Sequence, residues 1–433
     1  MARQAYRASL FHLLGDPGAD PLTGWHEDGV LVVEDGRVLA AGDWPTIAPT
    51  LGDDVPVTAY PNALIVPGFI DCHVHFPQID IVASPADHLM HWLDTHTYPS
   101  ELRFADPAVA REAAAFFLDE LLRHGTTSAL VFATVHRVSA EALFEAAAAR
   151  NMRIVSGKVL MDRNAPAGLL DTAETGIADS EALIRGWHGK GRLSYALTPR
   201  FAGSSTERQL ELTHRSLMTH PDVLLHTHLS ENHEEIAFIR ETFPDCSDYL
   251  AAYEKFGLVT NRSVFAHAIH LSDSEWHRLA KADAAIAFCP TSNLFLGSGL
   301  FDLARAKQAG VRVGLATDIG AGTSFSLLVT MNEAFKVGQL RRAPPDAFGL
   351  FYLATLGAAR ALHIDGHVGN FDTGKEADFL VLDLAATPLL ARRTALAKTP
   401  EEMLFALAML GDDRAVSHTF VAGRRAHSRD KKT

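Results

Sequence analysis

The chain has little cysteine, no surplus of positive charge and no long apolar run. Its three cysteines, Cys72, Cys246 and Cys289, lie far apart with no CxxC pair among 433 residues. That spacing excludes a disulfide framework and a structural zinc knuckle, and free thiols fit a reducing compartment. Lys and Arg number 39 against 52 Asp and Glu, for a formal net charge of −13. Nucleic-acid backbones and anionic membranes call for basic patches, so neither is expected as a partner, and small soluble molecules suit better. No apolar run reaches the roughly 18 to 20 residues of a membrane span. The opening residues, Met1 to Arg7, lack the apolar stretch of a secretory leader. A cytoplasmic protein is expected, with no internal repeat and no low-complexity segment.

What is present is alternation. Between about residues 60 and 320, short apolar runs alternate with longer helical patterns, the signature of βα units that build a parallel sheet. Eight strands are expected, over 64–71, 127–133, 153–160, 193–198, 223–228, 263–268, 284–288 and 311–317. Eight is the closing number of a barrel. Pro107 to His124 reads as an outer helix, with Pro at its start, apolar Val109, Ala113, Phe116, Phe117 and Leu121, and Gly125 past its end. Outside this region, residues 29–42 read as a hairpin joined at Asp35-Gly36. Residues 377–383 and 418–425 are again strand-like. Isolated hairpins are marginal in water, so the two chain ends should pair into one small β-domain. The expected divisions are 1–63 and 371–433 for that domain and 64–370 for the barrel, with 429–433 as a frayed end.

Chemistry gathers at the strand ends. His73-Val74-His75 follows the first apolar run, while His228, His267 and Asp318 close the fifth, sixth and eighth. Catalytic groups of a (β/α)8 barrel sit at those C-terminal ends. Neutral imidazoles with one carboxylate suit Zn²⁺ or Fe²⁺, and an open position on such an ion activates water. Metal-assisted hydrolysis is therefore the first expectation. His226 shares a strand face with His228, and periodicity alone does not separate the two. His233 and His270 read as solvated loop or helix positions.

The segments Pro67-Gly68-Phe69-Ile70-Asp71-Cys72-His73-Val74-His75, His226-Thr227-His228-Leu229-Ser230-Glu231, Ala266-His267-Ala268 and Ala316-Thr317-Asp318 resemble the amidohydrolase superfamily. Within it, His75-Phe76-Pro77-Gln78, Thr198-Pro199-Arg200-Phe201 and His228-Leu229-Ser230-Glu231-Asn232 resemble the guanine deaminase family. The resemblance implies a TIM-type (β/α)8 barrel with a β-sandwich from both chain ends. It also implies hydrolysis of guanine to xanthine and ammonia by a cytoplasmic homodimer carrying one Zn²⁺, or Fe²⁺, per subunit.

On that likeness the metal ligands are His73, His75, His228 and Asp318, with His267 either a further ligand or a hydrogen-bond partner of the nucleophile. His226 becomes a core imidazole. Lys158, on strand three, is not a bridging carboxylated lysine, because two-metal relatives carry theirs at the end of strand four, where this chain has Pro199-Arg200. Glu231 would carry protons to a ring nitrogen and the leaving amine, and Asp318 would take one from the attacking water. His75, Phe76, Pro77, Gln78, Arg200, Phe201, His228 and Asp318 would meet the purine. Other ring substrates use the same chemistry, including 8-oxoguanine, cytosine-like rings and triazines. A reading of another class is an inert binding protein, against which stands the joint presence of His73, His75, His228, Glu231 and Asp318.

Overall fold

The computed structural model describes residues 3–17, 23–85 and 88–429. Its strands are β1 (Gln4–Leu13), β2 (Thr23–Glu34), β3 (Arg37–Asp43), β4 (Val57–Pro67), β5 (Phe69–His75), β6 (Thr126–Phe132), β7 (Arg153–Gly157), β8 (Val159–Leu160), β9 (Ser194–Pro199), β10 (Leu224–Leu229), β11 (Ser263–His267), β12 (Ala285–Phe288), β13 (Arg312–Leu315), β14 (Phe379–Asp383), β15 (Val416–Val421) and β16 (Arg424–Ser428).

Strands β5 to β13 follow one another in chain order as a parallel sheet, with the two-residue β8 continuing β7 along β9. The ring closes just past β13, where Asp318 N donates to His73 O at 2.9 Å and His75 N to Ile319 O at 2.7 Å. All seven residues of β5 and all seven of β6 are buried. A parallel sheet is covered on both faces, so its strands read as continuous apolar runs. Small side chains fill the inside, including Ala196, Ala266, Ala285 and Ala287 beside Ile70, Cys72 and Leu224. The pairing of β5 with β6 slips between Asp71 and Val74. A bulge of this kind re-aims the residues beyond it, here His73 and His75.

The first expected strand is in fact two. Residues 64–67 pair with β14 in the terminal sheet, and only from Phe69 onward does the chain join the barrel. The change of partner falls at Gly68, whose N donates to Asp378 O at 2.9 Å, while Phe69 N donates to Gly125 O at 3.0 Å. A Cβ at Gly68 would lie 2.2 Å from Thr127 Oγ1, so no larger residue fits the crossing. Pro67-Gly68 marks a break in the apolar run but carries no mark of the exchange of partner strands.

The terminal sheet runs β16-β15-β14-β4-β1-β2-β3, with only β1 and β4 parallel. The expected hairpin is there: Glu34 pairs with Arg37, and Asp35 and Gly36 both take positive φ, as a primed turn requires. Sequence reasoning missed β1, which lies inside the sheet between β4 and β2. Tyr6 on β1 and Phe420 on β15 are three strands apart in sheet order, about 14 Å if the sheet were flat. Their rings lie 5.1 Å apart, so the sheet curls until its halves face each other as a sandwich.

Helix Pro107–Arg123 matches its expected span, capped by Asp106 Oδ1 accepting from Ala108 N at 2.8 Å. Ala113, Phe117 and Leu121 are buried, but Phe116 is exposed, a correction to the expected apolar face. Between β14 and β15 stand two unforeseen helices, Pro388–Ala395 and Pro400–Leu410. The second packs on helix Leu327–Leu340, with Phe335 and Phe405 rings 4.9 Å apart. Of the expected frayed end, Arg429 is tied to Asp383 at 2.7 Å, and residues 430–433 lie outside the described residues.

Candidate metal centre and purine pocket

His73 and His75 from β5, His228 from β10, His267 from β11 and Asp318 after β13 meet at the mouth of the barrel. Nε2 of His75 lies 3.1 Å from Nε2 of His73 and 3.3 Å from Nε2 of His228. Asp318 Oδ1 is 3.2 Å from His73 Nε2 and 3.4 Å from His75 Nε2. His267 Nε2 is 3.8 Å from Asp318 Oδ2 and 3.4 Å from Glu231 Oε2.

The outward nitrogens of His73, His228 and His267 are held from behind, while Nδ1 of His75 is buried without a partner. His228 Nδ1 contacts the Arg200 carbonyl at 2.6 Å, and because a carbonyl only accepts, that nitrogen carries the hydrogen and Nε2 keeps its lone pair. His267 Nδ1 meets Asn293 Oδ1 at 2.8 Å, and His73 Nδ1 meets His226 Nε2 at 2.7 Å. Burial, with help from neighbouring imidazoles, holds His73, His75, His226 and His228 well below the usual imidazole range. These rings are neutral. Burial alone would lower His267 too, but Glu231 and Asp318 beside it raise it above its ordinary value.

The backbone at this rim is unusual. Ser230, His267, Ala268 and Asp318 all take left-handed φ, between 47° and 69°. Each such non-glycine residue costs roughly 1 to 2 kcal/mol, and such strain clusters at functional sites. Backbone bonds hold it in place: Ala268 N donates to Leu229 O at 2.8 Å, and Asp318 N to His73 O.

Glu231 is buried beside the cluster, its Oε1 accepting from Ser298 Oγ at 3.2 Å and its backbone N donating to Glu235 Oε2 at 2.9 Å. Burial pushes its carboxyl up to about 7. Glu231 lines a cavity together with Gln78, Arg200 and Phe201 and with the apolar cluster of Leu89, Trp92 and Leu296. Arg200 Nη1 donates to both oxygens of Glu101 at 2.8 Å, and its guanidinium lies 5.6 Å from the Tyr98 ring centre.

Two of the residues expected to meet the purine do not line this cavity. Phe76 turns its ring into the core, 5.3 Å from Phe104 and 6.0 Å from Phe117, while the Pro77 carbonyl accepts from Ser100 Oγ. Phe76–Ile81 wind into a short 3₁₀ helix, a turn that the motif alone does not show. Lys158 is also elsewhere, its Nζ paired with Asp171. The rings of His233 and His270 lie 3.9 Å apart and tilted, outside the candidate ligand groups among the described residues. Sequence reasoning missed Trp92, Glu101, Asn293 and Ser298. A signal existed for the first two: residues 76–106 separate the first barrel strand from its helix, and connections that long are commonly functional.

Comparison with known proteins fits this geometry. The amidohydrolase family profile matches residues 64–426. The guanine deaminase of Escherichia coli (strain K12) is 49% identical over 404 residues, covering 93% of this chain and 92% of the relative. A solved E. coli guanine deaminase superposes with a TM-score of 0.95 at 46% identity, covering 99% of this chain and all of that one. A guanine deaminase from C. acetobutylicum, solved with guanine bound in its active site, gives a TM-score of 0.89 at 27% identity over 98% of this chain and all of that one.

Proposed function

The chain belongs to the amidohydrolase family, and we propose that it hydrolyses guanine to xanthine and ammonia. The observation that carries this reading is the convergence of the His73, His75 and His267 Nε2 atoms on Asp318, with His228 Nε2 against His75, buried Glu231 alongside and a polar-edged cavity next to them.

The donor set fits a divalent cation. Ring nitrogens facing one another at 3.1 and 3.3 Å need a proton or a cation between them, and one divalent ion serves all of them at once. His73, His75, His228 and Asp318 would hold it, with His267 as a fifth contact or as a hydrogen-bond partner of the attacking water. Cys289 also approaches His267 and Asp318, but burial keeps its thiol protonated and its Sγ faces Ala287 O. A bound ion, one per subunit and Zn²⁺ in this reading with Fe²⁺ the alternative, supplies the Lewis acidity that makes water nucleophilic near neutral pH.

The chain's own groups do the rest. Asp318 takes a proton from the attacking water on a carboxylate oxygen. Glu231, poised near neutrality, gives a proton to the ring nitrogen beside the amine-bearing carbon and, recharged with the proton that Asp318 took from the water, gives a second to the amine, which leaves as ammonia. Ser298 holds Glu231 Oε1 so that Oε2 keeps its aim. Gln78 and Arg200 present donors to the carbonyl edge of the purine, and Phe201 gives a flat apolar face. Catalysis is assigned to 64–370, with 1–63 and 371–433 as its support.

Ammonia release from guanine, measured beside metal content on the same sample, tests the reading. A panel of 8-oxoguanine, cytosine and triazine rings separates it from close alternatives. Among the described residues no helix is long and apolar enough to cross a membrane. A cytoplasmic homodimer is part of the proposal, and fractionation and light scattering test it.

A further inference from the structure

Glu101 is a fully buried carboxylate in the short helix Tyr98–Leu102, remote in sequence from every strand end. It nonetheless reaches both polar groups of the pocket wall. Arg200 Nη1 straddles its two oxygens at 2.8 Å, and Gln78 Nε2 donates to Oε1 at 3.2 Å. The far end of the Gln78 amide is pinned too, its Oε1 accepting from Gly320 N at 3.3 Å. Arg200 is itself buried, so without Glu101 the pocket would contain a bare guanidinium beside the substrate.

The charge matters because of what deamination does to the ring. Guanine is neutral near pH 7. Exchanging its amine for a carbonyl gives a dioxo ring whose N–H groups lose a proton far more readily, the charge spreading onto the carbonyls, so xanthine becomes anionic at mildly alkaline pH. A bare Arg200 would attract that anion and hold the product, whereas an Arg200 already neutralised favours it much less.

We propose that Glu101 is a positioning and specificity-determining residue that neutralises Arg200 and locks it with Gln78 into one edge, so that the pocket accepts a neutral aminopurine and releases its acidic oxo product. The proposal rests on the guanine reading above. It is tested on metal-loaded wild-type, Glu101→Gln and Glu101→Asp proteins by direct binding of xanthine at pH 6 and pH 8.5, alongside KM and kcat for guanine. In Glu101→Gln, xanthine should bind about tenfold or more tighter at pH 8.5 than at pH 6, with KM for guanine raised severalfold. In Glu101→Asp, which restores the charge, the pH dependence should return toward the wild type. Equal effects of Glu101→Gln on xanthine at both pH values, or a loss of xanthine affinity in step with guanine, would overturn the proposal. Should Glu101→Gln fail to fold, the double variant Glu101→Gln/Arg200→Gln removes both charges, and Arg200→Gln alone leaves Glu101 unpaired. Xanthine affinity should then fall with pH in Arg200→Gln and stay flat in the double variant, and any other ranking overturns the proposal. Absence of ammonia release by the wild type would refute the functional reading, while the xanthine titration still reads Glu101 by itself.

Discussion

Nε2 of His226 lies 2.7 Å from Nδ1 of His73, behind that ring, whereas Nε2 of His228 lies 3.3 Å from Nε2 of His75 in front. Two histidines on one face of β10 therefore stand in different places. His228→Ala should lose most of the bound metal, because few neutral donors hold the ion against its hydration. His226→Ala should lose much less, since it removes only a support of His73. Elemental analysis of both purified variants checks this, and equal retention would mean that the wrong histidine has been assigned.

Glu231→Gln preserves shape and the bond from Ser298 but carries no exchangeable acid proton. Metal content and guanine binding should stay close to wild type while turnover drops by roughly a hundredfold or more. Loss of metal instead would make Glu231 a ligand.

Arg200→Lys is not conservative. A lysine ammonium has neither the planar fork nor the flat cation that faces Tyr98. Activity on guanine should drop by roughly ten- to a thousandfold, about 1.4 to 4 kcal/mol at the transition state, with metal content intact. Adenine shows a donor at the edge where guanine shows a carbonyl, so the wild type should prefer guanine. Unchanged kinetics, or a preference for adenine, would hand the pocket to another ring.

The terminal sheet should weaken in acid through His12. Its buried ring accepts from Phe371 N at 3.3 Å, and burial holds it down to about 4. The unfolded chain binds a proton near pH 6.5 that the folded ring refuses, so this stability is whole above about 6.5 and is lost as pH falls toward 4. From pH 7 to pH 5 the loss is about 2 kcal/mol. His12→Asn can keep the bond from Phe371 without titrating. Urea unfolding of both proteins at the two pH values should show a smaller acid loss in the variant, and equal losses would exclude His12 as the source.

Local patterns carried most of the barrel. The eight apolar runs hold the barrel strands, the first with only its second half, because a parallel strand buried on both faces must be apolar throughout. The Asp35-Gly36 turn was legible because only certain residues accept positive φ in succession. The candidate ligands were legible because a barrel puts its chemistry at strand ends, and strand ends can be read from the chain. What the sequence could not supply was everything that depends on who faces whom across space. Gly68 looks like any glycine after a proline until Thr127 is seen against it. His226 and His228 share one periodicity, and only the ring opposite tells them apart. Glu101 lies 23 residues from Gln78 and 99 from Arg200, and no local pattern links carboxylate to guanidinium over such distances. Backbone preferences act over a few neighbours and leave a trace in the chain, while a buried ion pair exists only once the barrel has closed and water has gone.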